Sequence, residues 1–234
     1  MRIIPARALV ATLALTLAFG CARGNGNGTS LDPDEFIATA RLPEGLRLEL
    51  AAREPNVVDP VAVAFDANGR MYVVEMGDYP MRPEGSGPLG RVKLLDDTDG
   101  DGYYETVSLF AAGLQHPTSV LPWRGGVLVT APPHILFLED TDGDDRADTR
   151  EVLFTGWGVG DTHAGPSNLR YGFDNWIYGT VGYARFNGTI GGEKHNFGMG
   201  VFRFRSDGSD IEFLHQFNNN TWGMGFNAAG DVFG

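Results

Sequence analysis

From Pro60 onward the chain alternates apolar and polar residues in short runs, broken by turn residues. The run Val61–Phe65 leads into Asp66-Ala67-Asn68-Gly69, and the run Met71–Glu75 follows. Two such runs around a turn of Asp, Asn and Gly predict a β-hairpin. The pattern returns at Pro117–Thr130, at Pro166–Val181 around Asp174-Asn175, and from Thr221 around Ala229-Gly230. A second kind of hairpin lies between these. Gly90–Asp96 passes through an acidic loop to Glu105–Ala111, and His134–Glu139 passes through a similar loop to Glu151–Phe154. Gly200–Phe217 is a third version with a shorter loop.

Each unit therefore holds four strands as two hairpins. The units start at Pro60, Pro117, Pro166 and Thr221, roughly fifty residues apart. Four-stranded units at this period are propeller blades. The fold expected is all-β, a β-propeller filling residues 42–234. A β-sandwich with chance internal similarity is the competing architecture, and four copies in one order favour the propeller. The pattern breaks off after about three and a half units, inside a strand at Asp231-Val232-Phe233-Gly234. The expectation is a truncated propeller.

The first forty residues read differently. Arg2 and Arg7 precede an uncharged run rich in Leu and Ala, Ala8–Phe19. That run is too short for a spanning helix and has the layout of a secretory signal over residues 1–20. The single cysteine, Cys21, follows directly. Leu17-Ala18-Phe19-Gly20-Cys21 resembles a bacterial lipobox, which implies a lipidated Cys21 and an extracytoplasmic, membrane-anchored lipoprotein in the periplasm or on the cell surface. A plain secreted protein with one unpaired cysteine is the other reading. Residues 21–31 form a flexible tether. Asp32-Pro33 marks the start of a short helix over 32–41, with Asp32 as cap.

Composition narrows the partners. The chain has 33 Gly with 15 Phe, 7 Tyr and 4 Trp, in keeping with tight turns between aromatic-rich strands. Thirty acidic and 18 basic residues give a net charge of −12, and Lys93 and Lys194 are the only lysines. No basic face is available for phosphate, so nucleic acid is not an expected partner.

The acidic loops offer metal chemistry. Asp97, Asp99 and Asp101 stand at alternate positions, with Glu105 at the ninth; Asp140, Asp142 and Asp144 repeat the spacing, with Asp148 at the ninth. Alternate carboxylates in a tight loop converge on one point, as calcium prefers. Neither loop is an EF-hand: the first has Ser108 where the bidentate glutamate belongs, the second has Asp145 where the glycine belongs, and the flanks are strands. A structural calcium is expected in at least one loop; a solvated acidic turn would have the same residues.

In a propeller, the loops leading into the innermost strands gather at one end of the channel. Here these loops carry Asp59, His116, Asp161 with His163, and Asn220 with Trp222. Asp59 and Asn220 also suit turn caps. A ring holding His116 and His163 suits proton transfer near neutral pH.

The residues His163, Gly165, Leu169, Gly172, Asp174, Ile177, Tyr178, Thr180 and Gly182 resemble a motif of the quinoprotein glucose/sorbosone dehydrogenases. The match departs at Tyr183, where those enzymes often carry Asp, and in one extra residue before Leu169. The region from about Ala51 to Gly234 resembles the propeller of a family of membrane-bound dehydrogenases abundant in Planctomycetes. The segments that carry this resemblance are DPVAVAFDANGRMYVVEM, the paired DTDGDG-type loops, THAGPSNLRYGFDNWIYGTVGY and NNTWGMGF.

These resemblances imply a six-bladed propeller using calcium and pyrroloquinoline quinone to oxidise a sugar or alcohol. They imply His163 as general base, His116 and Asp161 as orienting groups, Asn220 and Trp222 at the cofactor, and a cytochrome as electron acceptor. The chain holds no C-x-x-C-H, so a haem c domain would belong to a segment beyond Gly234. The alternatives are a carbohydrate- or protein-binding propeller without catalysis and, more distantly, a metal-dependent, lactonase-like hydrolase, for which Asp59, His116 and Asn220 supply only part of the ligand set.

Overall fold

The computed structural model describes residues 32–234; the expected signal segment, Cys21 and the expected tether lie outside the described residues. Helix α1 runs Pro33–Thr39, with the Asp32 carboxylate accepting the Asp34 N–H at 2.9 Å. Proline opens the first turn, where its missing N–H has no partner to lose. The helix ends two residues before the expected Arg41, because Ala40 already turns extended. Among the described residues no helix is long and apolar enough to cross a membrane.

Every regular element after this helix is a β-strand. The first sheet is β1 (Pro60–Phe65), β2 (Met71–Glu75), β3 (Gly90–Asp96) and β4 (Thr106–Leu114), in that order and antiparallel throughout. The second is β5 (Ser119–Trp123), β6 (Gly126–Ala131), β7 (His134–Glu139) and β8 (Thr149–Thr155), built the same way. The third uses β9 (Pro166–Tyr171) and β10 (Ile177–Val181). A separate hairpin follows, β11 (Phe186–Ile190) with β12 (Glu193–Phe197), before β13 (Gly200–Phe204) and β14 (Ile211–Gln216) complete the sheet. A last short pair, β15 (Gly225–Phe226) and β16 (Val232–Phe233), closes the described chain.

Local chemistry sets the inner turns. Asp66 accepts the N–H groups of Asn68 and Arg70, each at 2.9 Å, and Gly69 sits at φ +85°. Asn175 takes a left-handed φ of 63° in the third sheet. Both turns match the pattern read from the sequence.

The second strands β2, β6 and β10 are buried throughout their length. That follows from sheets packed face to face, where both sides of a middle strand meet apolar neighbours. Tyr72, Val74, Val92, Leu94 and Phe110 of the first sheet pack on Val120, Val127, Val129 and Leu136 of the second. Leu128, Ile135 and Phe154 pack on Leu169, Ile177, Phe202 and Phe204 of the third. Strands β1, β5 and β9 line one channel of about 530 Å³. Successive four-stranded antiparallel sheets, face to face around a channel, are propeller blades.

Two details depart from the sequence pattern. The hairpin β11–β12 interrupts the third blade, where four strands in direct succession were expected. Its aromatic residues Phe186 and Phe197 are held by Trp157 of the preceding connection, at ring separations of 4.7 and 5.9 Å. The hairpin from Thr221 forms only two-residue strands, although longer alternations were expected.

Candidate functional site at the channel mouth

Antiparallel pairing places the end of each second strand beside the start of the first. The segment Met76–Tyr79, after β2, therefore meets the loop before β1, and the Met76 N–H donates to the Asp59 carbonyl at 3.1 Å. Likewise Gly182, after β10, donates to the Ala164 carbonyl at 3.0 Å. Loops before first strands and after second strands thus share one end of the channel.

A pocket of about 270 Å³ lies there, lined by Asp59, Val61, Met76, Tyr79, His163 and Trp222. His163 is exposed, and its Nδ1 stands 3.1 Å from Asp161 Oδ1. An Nδ1–H donated to that carboxylate leaves Nε2 as the free acceptor, the arrangement a general base needs. The Tyr79 ring meets the His163 ring edge-on at 6.0 Å. Trp222 lines both the pocket and the wider channel.

The structure therefore brings His163, Asp161, Trp222 and Asp59 together. Asn220 stands against the wall beside them, where its Oδ1 accepts the Tyr183 N–H at 3.3 Å. A Cβ on Gly182 would lie 1.8 Å from that oxygen, so this approach needs glycine. His116 is not among the pocket residues; it faces Asp78 at 3.6 Å. Tyr79, Met76 and Asp78 were not read as site residues. Hairpin topology was the available signal, since it puts the residues after a second strand beside those before a first strand.

Behind Asp59 lies a buried charge cluster. Glu75 is wholly buried; it accepts the Val58 N–H at 2.7 Å, pairs with Lys93 Nζ at 3.0 Å, and is bonded by Arg91 Nε. Lys93 also donates to the Asn56 carbonyl at 2.6 Å. This cluster holds the Asn56–Asp59 loop against the first blade.

The acidic loops lie at the other end of the sheets. Tyr104, at the end of the first loop, bonds the Gly69 carbonyl in the β1–β2 turn, and Arg70 of that turn pairs with Asp145 of the second loop at 2.9 Å. In each loop the first aspartate accepts backbone N–H groups: Asp97 from Gly100 and Gly102, Asp140 from Gly143 and Asp145.

Carboxylate oxygens of Asp97, Asp99 and Asp101 lie within 4.8 Å of one another, as do those of Asp140, Asp142 and Asp148. Glu105 does not join the first trio; its Oε1 accepts the Thr98 N–H and hydroxyl, as Asp148 Oδ2 accepts those of Thr141 in the second. Asp144 stays outside the second, with its carboxylate turned to the Arg146 N–H. The Thr98 hydroxyl holds the Glu105 carboxyl below its ordinary value. Thr141 does the same to Asp148, through its N–H and then its hydroxyl. Desolvation pushes the Asp140 carboxyl up, but the amides of Gly143 and Asp145 and their neighbours outweigh it, and the net shift is downward. These three groups are ionised at neutral pH, as a cation site requires.

Fold and pocket together define a β-propeller with a polar, aromatic-walled channel mouth. The chain belongs to the family described as "Domain of unknown function (DUF7133)", whose model matches residues 32–234. In structure it is similar to a gluconolactonase from Xanthomonas campestris, with a TM-score of 0.51 and 16% identity, over 79% of this chain. The match spans 56% of that enzyme's length, and at this identity it is a likeness of fold. No curated protein matches the chain by sequence.

Proposed function

We propose that this chain is the extracytoplasmic propeller domain of a sugar or alcohol dehydrogenase of the membrane-bound, Planctomycetes-type family, of the six-bladed type and anchored through a lipidated Cys21. One observation carries the reading: an Asp161-oriented imidazole, His163, opens into a pocket walled by Tyr79 and Trp222. His163 Nε2 accepts the hydroxyl proton of the substrate, Asp161 holds the ring, and the aromatic walls take the apolar face of a sugar.

The quinone expected from the resemblance would supply the hydride acceptor. The described residues of the pocket do not fit it by themselves. Pyrroloquinoline quinone is a tricarboxylate, and neither Arg nor Lys lines the pocket. That same observation favours the second reading, a propeller that binds a neutral carbohydrate without oxidising it.

Titration with pyrroloquinoline quinone in the presence of calcium, followed by tryptophan fluorescence, separates the two. Saturable quenching with a Kd of about a micromolar or below supports the dehydrogenase. Absence of binding by the folded protein leaves the carbohydrate platform.

We further propose that the acidic loops hold structural calcium. Their place at the far end of the blades separates them from the mouth, so the ion acts on stability and not on chemistry. With calcium at about a hundred times its Kd, chelation removes roughly 2.7 kcal/mol. That lowers the melting temperature by about 5–10 °C for a domain of this size. An unchanged melt would leave the loops as amide-capped turns.

A further inference from the structure

We propose that Asp78 and His116 form a carboxylate–imidazole pair across the first two blades, in which Asp78 fixes the Nδ1–H tautomer and leaves Nε2 of His116 as an acceptor at the channel mouth. The Asp78 side chain is wholly buried. Its Oδ2 accepts the Leu89 N–H at 3.3 Å, while Oδ1 is buried with no partner among the described residues. His116 Nδ1 is also buried without a partner, and the two atoms face each other at 3.6 Å. A carboxylate oxygen only accepts, so an unprotonated Nδ1 would set two unsatisfied acceptors against each other. An Nδ1–H pairs them, after a side-chain rotation that closes a few tenths of an ångström.

Three further observations place the free nitrogen. His116 directly precedes Pro117 and is left-handed, at φ 42°. Asp59 precedes Pro60 with a like left-handed φ of 50°, and it lines the mouth pocket. The repeat thus puts His116 where the first blade puts a pocket residue. The His116 side chain is 12% exposed although Nδ1 is sealed, so its opening lies elsewhere on the ring. Met76 and Tyr79, on either side of Asp78, line the pocket with His163.

The mouth then carries two imidazoles of the same design. One is exposed on Asp161, and the other is locked on a buried aspartate from the neighbouring blade. Two imidazole acceptors suit a substrate with several hydroxyls, a polyol or sugar; this last step rests on the proposed function, while the pairing itself does not.

Long-range proton–nitrogen NMR on the full chain, labelled with ¹⁵N and held at about pH 8, reads the tautomer directly. The His116 signals are those that vanish in His116→Gln. The expected wild-type spectrum shows a protonated Nδ1 and a bare Nε2. In Asp78→Asn the amide oxygen keeps an acceptor for Leu89 and its NH₂ turns to the ring, so the tautomer inverts to Nε2–H. A wild-type Nε2–H form, an imidazolium at that pH, or an unchanged spectrum in Asp78→Asn overturns the proposal. Should Asp78→Asn fail to fold, the wild-type spectrum decides alone. Loss of quinone binding in the titration above leaves this result standing.

Discussion

Glu75→Ala is expected to destabilise the fold by about 3–5 kcal/mol, the cost of breaking a buried ion pair from one side. Glu75 stands where the second strands of the next two blades carry Ala131 and Val181, since it pairs with Arg91 as Ala131 pairs with His134 and Val181 with Gly200. Only the first blade puts a full charge there. Its carboxylate meets Lys93, Arg91 and the Val58 N–H with no exposure to solvent.

Removing it frees Arg91 to turn outward, since that side chain is already 38% exposed. Lys93 is almost sealed and keeps only the Asn56 carbonyl as a described partner. The cost therefore sits on Lys93 and on the Asn56–Asp59 loop, which loses its anchor to the blade. Urea unfolding of the wild type, Glu75→Ala and the double variant Glu75→Leu/Lys93→Met tests this. The double variant is expected to recover most of the loss, because no charge is left buried alone. A single-variant loss below about 1 kcal/mol would mean that Lys93 escapes to water.

Trp157→Ala is expected to cost about 3–5 kcal/mol as a large-to-small change in a packed core. Trp157 is 2% exposed and sits within 4.6 Å of the Phe202 ring and 4.7 Å of Phe186. It also forms the backbone bridge that ties β11 to the connection leading into the third blade. Truncation opens a cavity between blade and hairpin, so the hairpin should lose protection before the blades do. Trp157→Phe should be far milder, because it keeps ring contacts and removes an indole N–H that is buried without a described partner. Denaturant unfolding with hydrogen exchange over residues 186–197 reads both effects. Equal exchange in that hairpin for wild type and Trp157→Ala would show that Trp157 does not hold it.

Neither of these contacts is legible in the sequence, whereas the hairpins are. The runs Val61–Phe65 and Met71–Glu75, with Asp66 and Gly69 between them, carry their hairpin locally. Alternation sets which face is buried, and turn chemistry sets where the chain reverses. The repeat then fixes blade order, so His163, Asp161 and Trp222 could be assigned to one channel mouth before any coordinates. The acidic loops were legible for the same reason, since their carboxylates and capping amides lie within nine residues. The exclusion of Glu105 and Asp144 from the carboxylate trios was not legible, because spacing along the loop does not fix which oxygens converge.

What the chain encodes by itself is therefore its strands, its turns, the period of its blades and the loops that share an end of the channel. These rest on interactions between residues close in sequence. The tertiary structure alone decided that Asp78 meets His116, that Glu75 meets Arg91 and Lys93, and that Trp157 anchors an inserted hairpin. Those contacts join residues 16 to 40 positions apart, or different blades, and they exist only once apolar faces have packed and set the distance between them.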